Sequence, residues 1–412
     1  MNKDHLLNDS KVFCIAPWVH LHTTPSGICG PCCLSAILWD NIGLGDTKHH
    51  SILAVINSDK MKELRTDMLT DKQIPSCAAC YRQEETGGRS FRQTMNDEYG
   101  KYLPDCLTST TEDGSLTEFK MRYFDIRFSN ICNFKCRTCS SGYSSLWEQE
   151  DLKHKVGAQI VAKNNRKELQ QEVLDHIEFM DAAYFAGGEP LITTEHYIIL
   201  EEMIRQKRTD IKLTYNTNLS NIKFKDKDLL DLWSRFTNRV LVYASIDHYG
   251  RRAEYMRHGT DWGQVESNYR AIQQLSGVEL SVNSVVSIFN CLTLNDFYSY
   301  MIQQKLFRPD RFSHCLFNLM QPSIFAAHML PKDIIDASAK NLTKAKDMWV
   351  EFAPNSGTIV QLEQSIAQLL ASYPVQDWSV HKQKIQQEIA RVDKIRGENF
   401  AEVFPELTWL LE

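Results

Sequence analysis

The sequence predicts an α/β fold built on a parallel sheet, with a cysteine-rich segment before it and a helical extension after it. Three observations carry that prediction. Six short apolar or alternating runs recur with amphipathic intervals between them, six cysteines crowd into the first 80 residues, and the last 90 residues show helical periodicity without strand signals.

The first run, Tyr123-Phe-Asp-Ile-Arg-Phe-Ser-Asn130, alternates and is aromatic-rich, which suits a strand. The second contains Tyr184-Phe-Ala and stops at Gly187-Gly188-Glu189-Pro190. The remaining four are Ile211 to Asn218, Val240 to Asp247, Leu280 to Ile288 and about Ser313 to Leu319. Between them, Tyr197 to Gln206, Asp226 to Phe236, Val265 to Leu275 and Leu294 to Gln304 space their apolar residues as helices do. Strands alternating with helices imply parallel βαβ units, and six units are too few for an eight-stranded barrel.

Asp105 to Leu116 is Ser/Thr-rich and aperiodic, so it reads as a linker. The expected organisation is therefore a cysteine-rich unit over 1–104, an α/β domain over 118–322 and a helical extension over 323–412. The extension's helices are placed at Asp333 to Glu351, Ile359 to Tyr373 and Val380 to Arg396.

Composition narrows the class. The 412 residues are 43% hydrophobic and 24% charged, which is ordinary globular usage. A net charge of −6 gives no general attraction to nucleic acid or acidic membranes. Apolar runs stay short of the roughly 18 residues that span a bilayer, and Met1 to Ser10 lacks the basic-then-apolar pattern of a secretory signal. A cytoplasmic protein is expected, in which the chain's 12 cysteines are more readily explained by metal ligation than by disulfides.

The most specific motif is Cys132-Asn-Phe-Lys-Cys136-Arg-Thr-Cys139. Three thiolates spaced by three and two residues can hold three corners of a cubane iron–sulfur cluster and leave one iron open. Electron-carrier ferredoxins instead close every iron with cysteine. The next cysteine is Cys291, far along the chain. Zinc held by the triad and His154 is the competing reading, but the paired Cys-x2-Cys knuckles of such sites are missing.

The triad followed by Gly187-Gly188-Glu189-Pro190 resembles the radical SAM superfamily. The resemblance implies a partial (β/α)6 barrel, a [4Fe-4S] cluster on Cys132, Cys136 and Cys139, and S-adenosylmethionine bound at the open iron. It further implies reductive cleavage of that cofactor to a 5′-deoxyadenosyl radical, which abstracts hydrogen from a substrate. Gly187, Gly188, Glu189 and Pro190 would support its methionine end. By the same analogy Asn216, Asn218, Ser245 and Asp247, at the ends of the third and fourth strands, would contact its ribose and carboxylate; strand-end capping is their bland alternative. An electron donor such as flavodoxin or ferredoxin is implied as partner. Thr138 departs from the pattern, since an aromatic or apolar residue usually stands there beside the adenine.

The second constellation is Cys14, then Gly27-Ile-Cys29-Gly-Pro-Cys32-Cys33, then Cys77-Ala-Ala-Cys80. Cys14, Cys32 (or Cys33), Cys77 and Cys80 would close an auxiliary [4Fe-4S] cluster with four thiolates, and the same four would serve a structural zinc. The Cys14, Gly27 and Cys32 spacing resembles the twitch and SPASM auxiliary-cluster domains of radical SAM enzymes and favours Cys32. Such domains commonly follow the barrel, whereas this one precedes it. Cys29 reads as a spare thiol or an alternative ligand, and Cys106, Cys291 and Cys315 as small buried hydrophobes.

A peptide or protein side chain is the leading substrate implied by an auxiliary cluster. A sugar or other small metabolite is the enzymatic alternative, and a metal-stabilised binding or electron-transfer protein the non-enzymatic one. His248 to Trp262 is a polar loop rich in arginine (Arg251, Arg252, Arg257) and aromatic residues; an arginine there could clamp a carboxylate or phosphate bidentately, and a solvated helix start is the bland alternative.

Overall fold

The computed structural model describes residues 3–38, 43–157, 167–310, 314–372 and 377–412. Eight strands matter here: β1 (His20–Thr23), β2 (Cys29–Gly30), β3 (Tyr123–Ile126), β4 (Ala182–Phe185), β5 (Lys212–Thr217), β6 (Val240–Ser245), β7 (Val278–Val286) and β8 (His314–Asn318). All six expected strands are present as β3 to β8, and the fold is α/β with a mostly parallel sheet. The start of the sixth expected strand, Ser313, lies outside the described residues.

The chain divides into two compact units, the first being Met1–Ile131, Ala158–Tyr215 and Asp231–Val240. Its strands lie in the order β2-β1-β3-β4-β5. The β1–β3, β3–β4 and β4–β5 pairs are parallel, and β2 returns antiparallel to β1. Along β5 the pattern is strict: Leu213, Tyr215 and Thr217 are buried while Lys212, Thr214 and Asn216 are half-buried. Phe185 stacks on Tyr215 at 5.0 Å, and Tyr215 meets Trp233 at 5.0 Å, so aromatic packing fills this side of the sheet. Helix Thr194–Arg205 closes over it with Tyr197, Ile199, Leu200 and Met203, spaced to share one face.

Two features of this unit were not legible in the sequence. His20-Leu21-His22-Thr23 is too polar to signal a strand, yet all four residues are buried in β1. The segment taken as a linker is also structured. Helix Leu103–Ser109 buries Leu103 and Cys106, and Thr110 bridges to Leu116. Its polar groups are spent inside the fold: Thr110 accepts from the Trp18 indole (2.9 Å), and the Gly114 carbonyl accepts from Arg65 (2.6 Å). A hydroxyl-rich run resembles a linker until its hydrogen-bond partners are known.

The second unit is Cys132–Gly157, Asn216–Leu230 and Leu241–Glu412. It holds β6, β7 and β8 in that order, with β7 parallel to β8. Helices Leu294–Gln303 and Lys332–Phe352 pack around Trp349, which meets Phe307 at 4.9 Å and Tyr298 at 5.5 Å. Helix Gly357–Leu370 satisfies the outer edge of β8. Thr358 donates to the His314 carbonyl (2.8 Å) and Gln361 accepts from the Leu316 amide (3.0 Å), which blunts an exposed strand edge. Helix Trp378–Arg396 ends at Gly397, held at φ 67°, the left-handed cap that glycine adopts most easily. The helical extension thus forms as expected, except that Tyr373 lies outside the described residues.

Candidate metal centres

The triad loop is fixed through its backbone. Lys135–Cys136 forms a two-residue antiparallel ladder with Arg257–His258. The Cys136 carbonyl accepts from the Trp147 indole (2.8 Å) and from the Cys139 amide (3.0 Å). Ser144 donates to the Phe134 carbonyl (2.6 Å), and Ser145 accepts from the Cys132 amide (3.2 Å). Ser144 and Ser145 open helix Ser145–Lys153, in which Trp147 and Glu150 are buried. His154 caps the helix and is exposed, so it offers no buried fourth ligand beside the thiols.

Electrostatics favour the neutral thiol at Cys136 and Cys139, whose protons a metal would displace. Burial pushes Cys139 up to about 12, and the neighbouring Cys136 adds to this. Burial also raises Cys136, while the Arg257 guanidinium opposes it. Arg257 donates through Nη1 to the Cys136 sulfur (3.8 Å) and through Nε to Asp247 (2.8 Å). The carboxylate it meets belongs to its own chain and is reached through Nε, with Nη1 turned to the sulfur.

The other expected cofactor contacts take on structural partners. Asp247 is buried, and its second oxygen accepts from the Val285 amide (2.8 Å). Asn218 donates to the Asn133 side chain (2.9 Å) inside the triad loop and accepts from the Ser220 amide (2.9 Å). Asn216 and Ser245 are half-buried at the ends of β5 and β6. Asn218 and Asp247 thus both brace the cysteine loop, Asp247 through Arg257. Sequence reasoning missed Asn133 and Arg257 in this role because their partners are distant in the chain.

In the first unit, the two glycines after β4 approach the backbone that leads into the triad. A Cβ on Gly188 would lie 2.1 Å from the Ile131 carbonyl oxygen, and Gly187 sits at φ +132°. The Glu189 amide donates to that same carbonyl (2.7 Å), and the buried Glu189 carboxylate accepts from the Leu191 amide (3.0 Å). Pro190 opens the short turn Pro190–Ile192. The glycine pair is thus required by the chain's own backbone.

Cys14, Cys32, Cys77 and Cys80 line one largely apolar cavity, closed by Val12, Pro17, Leu34, Met68, Phe91 and Arg92. Cys29 and Cys33 do not line it. Cys29 is buried and donates to the Gly27 carbonyl (3.3 Å). The Cys33 thiol is raised to about 11 by burial first and then by Asp125, with Arg127 opposing. Burial pushes Cys14 up to about 12 and Cys77 up to about 11, and each is raised further by neighbouring thiols.

Tetrahedral zinc with Zn–S near 2.3 Å needs sulfurs about 3.8 Å apart. Among the described residues, no three His, Cys, Asp or Glu side chains gather around a single ion. The four thiols instead border one small cavity. Arg92, which lines it, is anchored by Glu84 and by the Ser10 and Phe13 carbonyls.

Residues 14–81 match the SPASM iron–sulfur cluster-binding domain family. The match covers the cysteines of this cavity and agrees with the resemblance carried by Cys14, Gly27 and Cys32. Among solved structures, anSMEcpe with bound AdoMet and a Cp18Cys peptide is 20% identical, with 54% of this chain and 58% of that chain covered and a TM-score of 0.36. SuiB of Streptococcus suis bound to its precursor peptide SuiA is 12% identical, with 64% and 56% covered and a TM-score of 0.35. The chain spans a little over half the length of these structures. No curated protein matches it by sequence. Among the described residues, no helix is long and apolar enough to cross a membrane.

Proposed function

We propose that this protein is a radical SAM enzyme with a catalytic cluster at Cys132, Cys136 and Cys139 and an auxiliary cluster at Cys14, Cys32, Cys77 and Cys80. The observation that carries the reading is the division of the cysteines. Three sit on one braced loop with no fourth cysteine, and four others share a cavity inside a segment that matches an iron–sulfur domain. When bound, the catalytic cluster and S-adenosylmethionine would supply a 5′-deoxyadenosyl radical for hydrogen abstraction.

The chain's own groups account for the rest. Arg257 places positive charge beside the Cys136 sulfur, which favours the thiolate that ligates iron. Asp247 keeps that guanidinium charged and aimed. Asn218 and Asn133 hold the loop's first turn. Gly187 to Pro190 and the polar strand-end residues Asn216 and Ser245 are assigned to the cofactor, and the largely apolar lining of the auxiliary cavity limits water around its thiols.

The substrate we infer is a peptide or protein side chain, modified in the cytoplasm with electrons from a flavodoxin- or ferredoxin-type donor. The three-part organisation over 1–104, 118–322 and 323–412 belongs to the same reading. Anaerobic reconstitution with iron and sulfide, followed by dithionite and S-adenosylmethionine, should yield 5′-deoxyadenosine. Cys136→Ala should abolish it. An intact cluster that forms no 5′-deoxyadenosine would refute the enzymatic reading.

A further inference from the structure

The residues flanking Cys136 are Lys135 and Arg137, and nothing about presenting thiols requires either. Both enter a buried charge network built by the C-terminal helix Trp378–Arg396 and the turn after it. Arg137, with 1% of its side chain exposed, pairs with Asp393 and Glu398 and lies over the Tyr255 ring at 3.7 Å. Asp393 also accepts from the Tyr255 hydroxyl (2.7 Å) and the Phe400 amide (2.8 Å), while Glu398 pairs with His258 (2.6 Å). Arg396 is fully buried. It donates through Nη2 and Nε to Glu150 Oε1 (2.8 and 3.1 Å) and through Nε to Oε2 (3.4 Å), donates to the Lys135 carbonyl (2.9 Å) and covers the Trp147 ring at 4.3 Å. Lys135 pairs with the same Glu150.

These contacts converge on one residue. Trp147 bonds the Cys136 carbonyl, Arg396 bonds the carbonyl just before it, and His258 belongs to the ladder that pairs with Lys135–Cys136. We propose that Asp393, Arg396 and Glu398 are positioning residues for the cluster loop, so that the far C-terminal segment sets the geometry in which Cys136 meets iron. The inference rests on the radical SAM reading of the triad. Its physical basis is burial: exposed ion pairs hold little in place, whereas a bidentate guanidinium locked among buried partners fixes the backbone it touches. Partners of this outer kind tune both metal affinity and cluster potential.

The test uses the whole 412-residue chain, reconstituted, and reads the reduced cluster by electron paramagnetic resonance with and without S-adenosylmethionine, together with iron retained against a chelator. Arg396→Lys keeps the charge but loses the planar fork. It should shift or broaden the cofactor-sensitive signal and weaken retention of the triad iron about tenfold, with far-UV circular dichroism and the auxiliary iron unchanged. Arg391→Lys, in a half-exposed pair with Glu388 on the same helix, should leave the signal as in wild type. If Arg396→Lys does not fold, Glu398→Gln is the milder variant and should give the same shift.

A wild-type signal insensitive to S-adenosylmethionine would remove the radical SAM reading and this inference with it. A sensitive wild-type signal reproduced unchanged by the folded Arg396 or Glu398 variant would remove the inference alone.

Discussion

Gly188→Ala should damage the cluster loop without touching a ligand. The added Cβ would meet the Ile131 oxygen at 2.1 Å and the Ile131 and Asn130 carbonyl carbons at 2.6 and 2.8 Å. Carbon–oxygen contacts settle near 3.3 Å, so the two backbones must part by about 1.2 Å. Both sides are main chain, and neither can swing away as a side-chain tip would. Overpacking of this kind costs about 1–3 kcal/mol. Parting the strands also breaks the Glu189 amide bond to Ile131 (2.7 Å), for about another 1 kcal/mol.

The neighbouring Gly187→Ala is the control. Its nearest atoms stand 3.5 Å away, so it bears only the strain of φ +132°, about 1–3 kcal/mol. Gly188→Ala should therefore lower the thermal midpoint by on the order of 5 °C, more than Gly187→Ala does. Because Ile131 is bonded to Cys132, it should also release triad iron while sparing the auxiliary iron. Differential scanning calorimetry and iron counts on the reconstituted protein check both. A Gly188→Ala protein as stable as Gly187→Ala, with full iron, would refute the close-approach argument.

Two further outcomes follow from the side chains. Replacing Cys14, Cys32, Cys77 or Cys80 singly with Ser should cost about half the bound iron, whereas Cys29→Ser and Cys33→Ser should retain it; iron loss from Cys33→Ser equal to that from Cys32→Ser would contradict the cavity assignment. Burial lowers His20 to about 4 and His196, His248 and His314 to about 3. The unfolded chain protonates these groups near 6.5 and the folded one does not, so stability is full above 6.5 and falls as pH drops toward 4. The loss by pH 5 is about 2 kcal/mol per histidine. A urea midpoint that stays flat from pH 7 to 5 would exclude it.

The strands β3 to β8 and the long helices were legible because each buries one apolar face, and burial leaves a period of two or near 3.6 in the residues. The triad was legible because its three cysteines are neighbours in the chain. Cys14, Cys32, Cys77 and Cys80 could be grouped by composition, yet the choice of Cys32 over Cys33 becomes a matter of geometry only once one thiol lines the cavity and the other is surrounded by Asp125 and Arg127. β1 escaped notice because His20 and His22 are buried by hydrogen bonding rather than by hydrophobicity, His22 to Asp125 at 2.6 Å and His20 to the Tyr123 carbonyl at 2.8 Å.

Local chemistry is thus written in local sequence: which residues can ligate iron, where a strand must end, and where only glycine fits a turn. Long-range pairing is not. Arg396 lies 246 residues from Glu150, and Arg137 256 from Asp393. A charged residue leaves the same mark in a sequence whether it faces water or a buried partner, because its pattern records polarity and not environment. Only folding decides that Lys135 and Arg137 are held from the far end of the chain, and that Asp247, a candidate for the cofactor's ribose, first secures Arg257 beside a cluster cysteine.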